Sequence, residues 1–483
     1  MKPLWVSDIE VLFAAVWRAK QDFLYRKRGD RPERGIKMSA TLKERDSFIL
    51  YNDKSERGLA CNQSSVSGAV SQRACVYCGA RVVLNPVADA VHIVHGPIGC
   101  ASYTWDIRGS LSSGPELYRN SYSTDLGEQD IIFGGEDKLK AAIDEAVKTL
   151  DPSVIFVYAT CVVGIIGDDI GGICRAAEKQ YGIRVIPVSS SGFAGTKTSG
   201  YKAACDAMME LMGEPESDSE RDPLTFNYLG DFNLAGELWI LKNYFDEIGI
   251  DVIATISGDG RCEDLKRAKG AAHNIIQCAG SMHYLASKME ARYAIPYTQV
   301  SFFGLDDTIE SLEEIARLTG SDAVMERVQR LVARKTAEVE PVLDRYRQRL
   351  SGKTAAIYVG GGFKAISLIK QFNSLGIKTV MVGTQTGRPS EYETIKFLSD
   401  MGTVILDDAN PSELKHFITE KGADILVGGV KERPLAFKLG VAFIDHNHER
   451  KHPLAGFEGA VNFAKEVDLT VNSPVWDMAR EGF

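Results

Sequence analysis

From about residue 80 onward, short apolar runs rich in β-branched residues alternate with stretches of helical periodicity. The runs are AVHIVHGP (90–97), SVIFVYATC (153–161), RVIPVSSSGF (184–193), DVIATISGDG (251–260), AAIYVGGG (355–362), KTVMVGTQTG (378–387), GTVILDD (402–408) and ADILVGGV (423–430). Nearly continuous apolar runs spaced by room for a helix predict strands of parallel sheets covered on both faces. Most end in Gly, Ser, Thr or Cys, which places reactive side chains at carboxyl strand ends, where open α/β sheets bind ligands. Before this pattern, residues 1–37 put Ile9, Leu12, Phe13, Val16 and Trp17 on one face of a predicted helix, followed by the basic run Arg26, Lys27, Arg28. Two boundaries are softer: acidic EPESDSERDP at 214–223, and a charged helical stretch over 308–351 that stops at Gly352. In that stretch Val328, Leu331, Val332, Val339, Val342 and Leu343 are expected to face inward. The expected class is therefore α/β, with three Rossmann-like parallel-sheet domains at 61–225, 226–353 and 354–483 behind an N-terminal extension of residues 1–60.

Composition narrows the function classes. With 483 residues the chain exceeds one ordinary core. Hydrophobic residues at 44% and charged residues at 25% are ordinary globular values, and no uninterrupted apolar stretch of about 18 residues is present to span a bilayer. Asp8 and Glu10 interrupt the first apolar run and no small-residue cleavage site follows, so a cytoplasmic protein is expected. A net charge of −9 without a basic stripe argues against nucleic acid as a partner. In a reducing compartment nine cysteines, an odd number, fit no simple disulfide framework, which leaves metal binding or burial to account for them.

The sharpest local feature is RACVYCGARVVLNPVADAVHIVHGPIGC, where Cys75 and Cys78 are closely spaced and Cys100 follows a strand and a Gly-Pro turn; a later strand ends at Cys161. No second close pair completes a zinc site, and small buried core thiols remain an alternative. Thiolates at Gly-rich strand ends suit iron–sulfur chemistry, because backbone amides there can donate to cluster sulfides. His92 and His95 lie within a strand and read as satisfied core histidines, His95 being close enough to Cys100 to serve as a supporting donor. Asp168 and Asp169 look like first-turn carboxylates of a helix. SGDGRCED (257–264) lacks the third glycine of a dinucleotide turn, and no Walker A motif occurs, so ATP would have to be used by a separate protein. GGG at 360–362 makes room for a turn or cradles an anion such as a carboxylate.

HIVHGPIGC (92–100), TWDIRGSLSSGPELYR (104–119), CVVGIIGDD (161–169), GFAGTKTSG (192–200), QCAGSMHYLASKME (277–290) and KERPLAFKLG (431–440) occur in the order found in the nitrogenase component 1 family. The chain resembles an α-type member of that family from about residue 40 onward. The resemblance implies that Cys75, Cys100 and Cys161 hold one side of a cluster, [4Fe–4S] or [8Fe–7S], shared with a β-type chain in an α2β2 heterotetramer. It further implies that Cys278 binds one end of a large internal cluster and that an ATP-dependent Fe-protein is the reductase. Val83, Arg108 and Lys431 match the family's internal pocket, to which Lys197 and Tyr201 are added as candidates, Tyr201 standing near a usual histidine. Two departures matter. The family's Arg-Pro-Arg loop is replaced by GGGFKAI (360–366), and the histidine expected sixteen positions after Lys431 is Asn447, flanked by His446 and His448. A carboxamide is a far weaker ligand for iron or molybdenum than imidazole, so Cys278 would be the one firm tether. These departures are similar to those of scaffold chains of the family on which the iron-molybdenum cofactor precursor matures before transfer. The alternatives are a catalytic α-type chain of a nitrogenase-like reductase, such as methylthio-alkane reductase, or an interaction protein without the internal cluster. Retention of Cys278 and Lys431 weighs against the last.

Overall fold

A computed structural model describes residues 45–53, 58–61, 74–105, 120–215, 221–446 and 450–476. The helix expected over 1–37 therefore lies outside the described residues, as do Arg108, Asn447 and His448. Residues Ser47–Phe483 belong to one compact unit.

Its strands are β1 (Ile49–Tyr51), β2 (Val91–His95), β3 (Ser121–Ser123), β4 (Val154–Ala159), β5 (Arg184–Val188), β6 (Thr225–Asp231), β7 (Asp251–Ser257), β8 (His273–Ile276), β9 (Tyr297–Gln299), β10 (Thr354–Val359), β11 (Lys378–Thr384), β12 (Val404–Asp407), β13 (Ile425–Gly428) and β14 (Ala442–Asp445). They form three sheets of order β3-β2-β4-β5, β7-β6-β8-β9 and β1-β12-β11-β10-β13-β14. Every pairing is parallel except that of β1 with β12. The fold is thus α/β with three parallel sheets, and residues 49–51 of the expected extension supply an edge strand to the third.

Period-two alternation makes the layers. Along β4, Ile155 and Val157 pack outward with Leu139, Ile143 and Ile173, while Phe156 and Tyr158 face the other way into a core shared with Leu229 and Ile256 of the second sheet. Helix ends are closed by local chemistry: Asp169 accepts from the Gly172 amide, Ser321 from Val324, and Asn410 from Ser412 and Glu413. The long helix Asp322–Leu350 buries Val328, Leu331, Val339 and Leu343, with Val332 partly buried against them. Among the described residues no helix is long and apolar enough to cross a membrane.

In each sheet the strand order reverses once, between β2 and β4, between β6 and β8, and between β10 and β13. The crevice at such a reversal is where connections diverge to opposite faces and a ligand can enter. The residues that follow these six strands are the ones that matter next.

Candidate functional site

Cys100 follows β2 and Cys161 follows β4, so both sit at the reversal of the first sheet. Cys75 joins them as the N-cap of the helix Val76–Leu84. The link is Gly192: its amide donates to the Cys161 sulfur at 3.1 Å, and a Cβ placed there would lie 2.8 Å from Cys161 Sγ and 3.3 Å from Cys75 Cβ. Burial pushes the Cys100 thiol up, with Cys161 and Cys75 close enough to add to the shift. All three cysteines are partly exposed residues. Among the described residues no three His, Cys, Asp or Glu side chains converge on a single metal ion. Three mutually adjacent thiols with an amide donor suit a polynuclear cluster, whose irons each take a separate thiolate.

Around these cysteines the surface is apolar. Ile98 and Tyr103 flank Cys100 on the helix Ile98–Trp105, Ile165 lies on the helix begun by Cys161, and Phe193 follows Gly192. The neighbouring helix Glu128–Phe133 adds Ile132, 72% exposed, and Phe133, 85% exposed. An apolar rim around half-exposed thiols is a surface made to be covered.

The second group gathers at the reversals of the other two sheets. Cys278 follows β8 as the N-cap of the helix Ala279–Tyr293, against Gly230 of β6, where any Cβ would meet the Cys278 amide at 2.7 Å. Tyr201, on the helix Lys197–Met212, is within electrostatic reach of Cys278; burial pushes its hydroxyl up, against the pull of Lys197. Burial alone would lower the Lys197 ammonium, but Tyr201 and the Cys78 thiol hold it above the usual lysine range. From the third sheet, Lys431 follows β13 and lies within reach of Cys78, while Lys364 follows β10 and lies within reach of Cys278. Beside Lys431, burial pushes the Glu432 carboxyl up to about 7, and one of its oxygens has no hydrogen-bond partner.

His446, at the end of β14, is fully buried and edge-on to Phe303 and Phe463, and neither ring nitrogen has a hydrogen-bond partner. Burial, then Lys364 and Arg450, lower its pKa well below the usual range, which leaves a neutral imidazole. Gly280, beside Cys278, and Gly360, after β10, face open space. Orphaned buried nitrogens, open glycines and a thiol among cations fit a bulky anionic group tethered at Cys278.

Other expectations resolve differently. Val83 is buried on the helix that Cys75 begins. Cys78 is buried one turn beyond Cys75, its thiol pushed up chiefly by burial. His95 does not serve Cys100: it bonds Thr124 and Asp168, each at 3.0 Å, and His92 bonds Tyr158 at 2.9 Å. Asp168 is thus a histidine partner, and Asp169 alone caps the helix. The sequence does not single out Lys364 or Arg450, which the structure brings near Cys278 and His446. Their signal was a lysine in the first turn after a glycine run and an arginine just beyond the His-Asn-His segment.

Residues 75–472 match the family described as nitrogenase component 1 type oxidoreductase. The chain is 62% identical over 441 residues to the nitrogenase iron-molybdenum cofactor biosynthesis protein NifE of Clostridium pasteurianum, covering 90% of this chain and 96% of that protein. It is 49% identical to the protein of the same name from Methanosarcina barkeri, over 91% and 98% of the two chains. A solved structure, nitrogenase Cp1 at pH 6.5, superimposes with a TM-score of 0.82 at 30% identity, covering 92% of this chain and 97% of that one.

Proposed function

Because this chain belongs to the nitrogenase component 1 family, we propose that it is the α-type subunit of a scaffold on which the iron-molybdenum cofactor precursor matures and from which it is handed on. Residues 61–225 carry the thiols Cys75, Cys100 and Cys161 for a cluster, [4Fe–4S] or [8Fe–7S], completed by a β-type partner on the apolar rim. Residues 226–353 carry Cys278, which tethers the cargo, and residues 354–483 carry Lys431 for its other end and, in the family's ligand position of the sequence, Asn447. Homocitrate would be the organic acid joined to that cargo, and a separate ATP-dependent Fe-protein would supply electrons.

The observation that carries this reading is the asymmetry of the internal site. Among the described residues one thiol, Cys278, stands at the reversal of the second sheet, whereas the third sheet offers cations; in the sequence Asn447 occupies the position where the family's histidine is expected. Thiolate binds iron firmly and ammonium or amide does not, so the cargo is held strongly at one end only. Such a grip allows release. The buried, unpartnered imidazole of His446 favours a second reading, a catalytic reductase in which a histidine other than the usual one closes the far end.

Transfer separates the two. The complex with its β-type partner, purified anaerobically and mixed with a cluster-free catalytic protein, should lose its internal cluster to that protein, and Asn447→His should slow the loss about tenfold. Sustained substrate reduction with reductase and ATP, without transfer, would overturn the scaffold reading.

A further inference from the structure

The internal site is lined by two cations, Lys364 and Arg450, and among the described residues Arg450 alone of the two has a carboxylate within 4 Å. Arg450 is 95% buried at its side chain and stands 3.2 Å from the likewise buried Glu237. That contact is out of line for a hydrogen bond, so Nε and Nη1 of Arg450 and Oε1 of Glu237 lack hydrogen-bond partners. The guanidinium instead lies 5.7 Å from the centre of the Phe303 ring, whose other neighbour is the unpartnered His446. Lys364 donates to the His446 carbonyl at 3.2 Å, and among the described residues no carboxylate lies within hydrogen-bonding distance of its ammonium. Asp445, which is near enough to influence Lys364, is 3.4 Å from Arg433. Burial, then Arg450, bring the Lys364 ammonium down to about 8, while Cys278 and Glu237 draw it back up. Lys364 and Arg450 repel one another, Glu237 and Asp445 offset them only in part, and the unpartnered donors of Arg450 cost free energy unless an anion comes to meet them. A Cβ on Gly360, four positions before Lys364, would meet nothing within 4 Å.

We propose that Lys364 and Arg450 form an anion seat that grips the far end of the cluster tethered at Cys278 by charge, in place of a second coordinating side chain. This rests on the reading of Cys278 above. The seat explains how a cargo bound by one thiol stays in place until transfer: a charge contact is non-directional, tolerates changes of composition at that end, and is broken without displacing a metal ligand. Both side chains are positioning residues.

The test uses the anaerobically purified complex with its partner chain. Release of internal-cluster iron to a ferrous chelator and the midpoint potential of that cluster are measured for wild type, Lys364→Met, Lys364→Arg, Arg450→Met and His446→Gln. Lys364→Met and Arg450→Met should each release iron about tenfold faster and shift the potential negative, since losing a nearby positive charge disfavours the more negative reduced state. Lys364→Arg should restore both values. Iron held at Cys75, Cys100 and Cys161 should be unchanged in every variant, which reports that folding is intact. Equal release and potential in Lys364→Met and wild type would overturn the seat. Acceleration in His446→Gln but not in Lys364→Met would overturn it in favour of coordination by histidine. If wild type and Cys278→Ala carry the same iron, the underlying assignment of Cys278 fails, and the seat with it.

Discussion

Cys75 and Cys78 are three positions apart on one turn of helix, yet their surroundings give them different work. Cys75 sits at the helix cap beside Gly192 and Cys161, half open to the rim, while Cys78 is 4% exposed and packs inward beside Lys197. Replacing Cys75, Cys100 or Cys161 with Ala should therefore lower iron content and weaken association with the partner chain. Cys78→Ala should keep both and cost about 1 kcal/mol of stability, the ordinary loss for one small buried group. Iron analysis and gel filtration of the four variants decide it; retained iron in the first three would remove the interface assignment. Cys100 and Cys161 were legible in sequence as thiols at strand ends, whereas Cys75 and Cys278 were picked out by the family resemblance. Lys364 and Arg450 were not, because a lysine after a glycine run reads as surface charge until the fold shows which strands flank it.

At the scale of elements, one helix crossing ties the two candidate sites together. The helix Val76–Leu84 meets the helix Lys197–Met212 at Gly79 and Gly200. A Cβ on Gly79 would lie 2.1 Å from the Lys197 carbonyl oxygen, and one on Gly200 would lie 2.0 Å from that of Val76. Backbone cannot yield as a flexible side chain does, so Gly200→Ala should force the helices apart at a cost of about 3 kcal/mol. Because one helix begins at Cys75 and the other presents Lys197 and Tyr201, both iron populations should fall with the melting temperature. A variant that loses stability but keeps full iron would show that the sites do not depend on this crossing. Nothing in GFAGTKTSG names the partner of Gly200. Strands show the same limit: β6 was missed because Asn227 and Asp231 break its apolar run, although Asn227 is buried and bonded to Asn274 and the Ala268 carbonyl. Strands β1, β3 and β9, of three residues each, are too short for periodicity to register.

For the whole molecule the question is where the folded unit must begin. Residues 1–37 carry no cysteine or histidine and precede the stretch that resembles the family. Residues 48–52, though also ahead of the first motif, are woven into the third sheet. Phe48, Ile49 and Leu50 are buried, β1 runs antiparallel to β12, and the Asn52 side chain donates to the carbonyls of Lys396, Ser399 and Asp400. Removing β1 would uncover the edge of β12, whose Val404, Ile405 and Leu406 are almost wholly buried, and an exposed apolar edge invites aggregation. A chain beginning at Met38 should therefore match the full chain in melting temperature, iron content and partner binding. A chain beginning at Ser55 should lose about 3 kcal/mol or more, the value of burying two large aliphatic side chains, and scatter light on heating. Since the third sheet carries Lys364, Lys431 and His446, its loosening should empty the internal site before the thiols of the first sheet give up their iron. Equal losses in the two shortened chains would instead place an essential contact within residues 1–37.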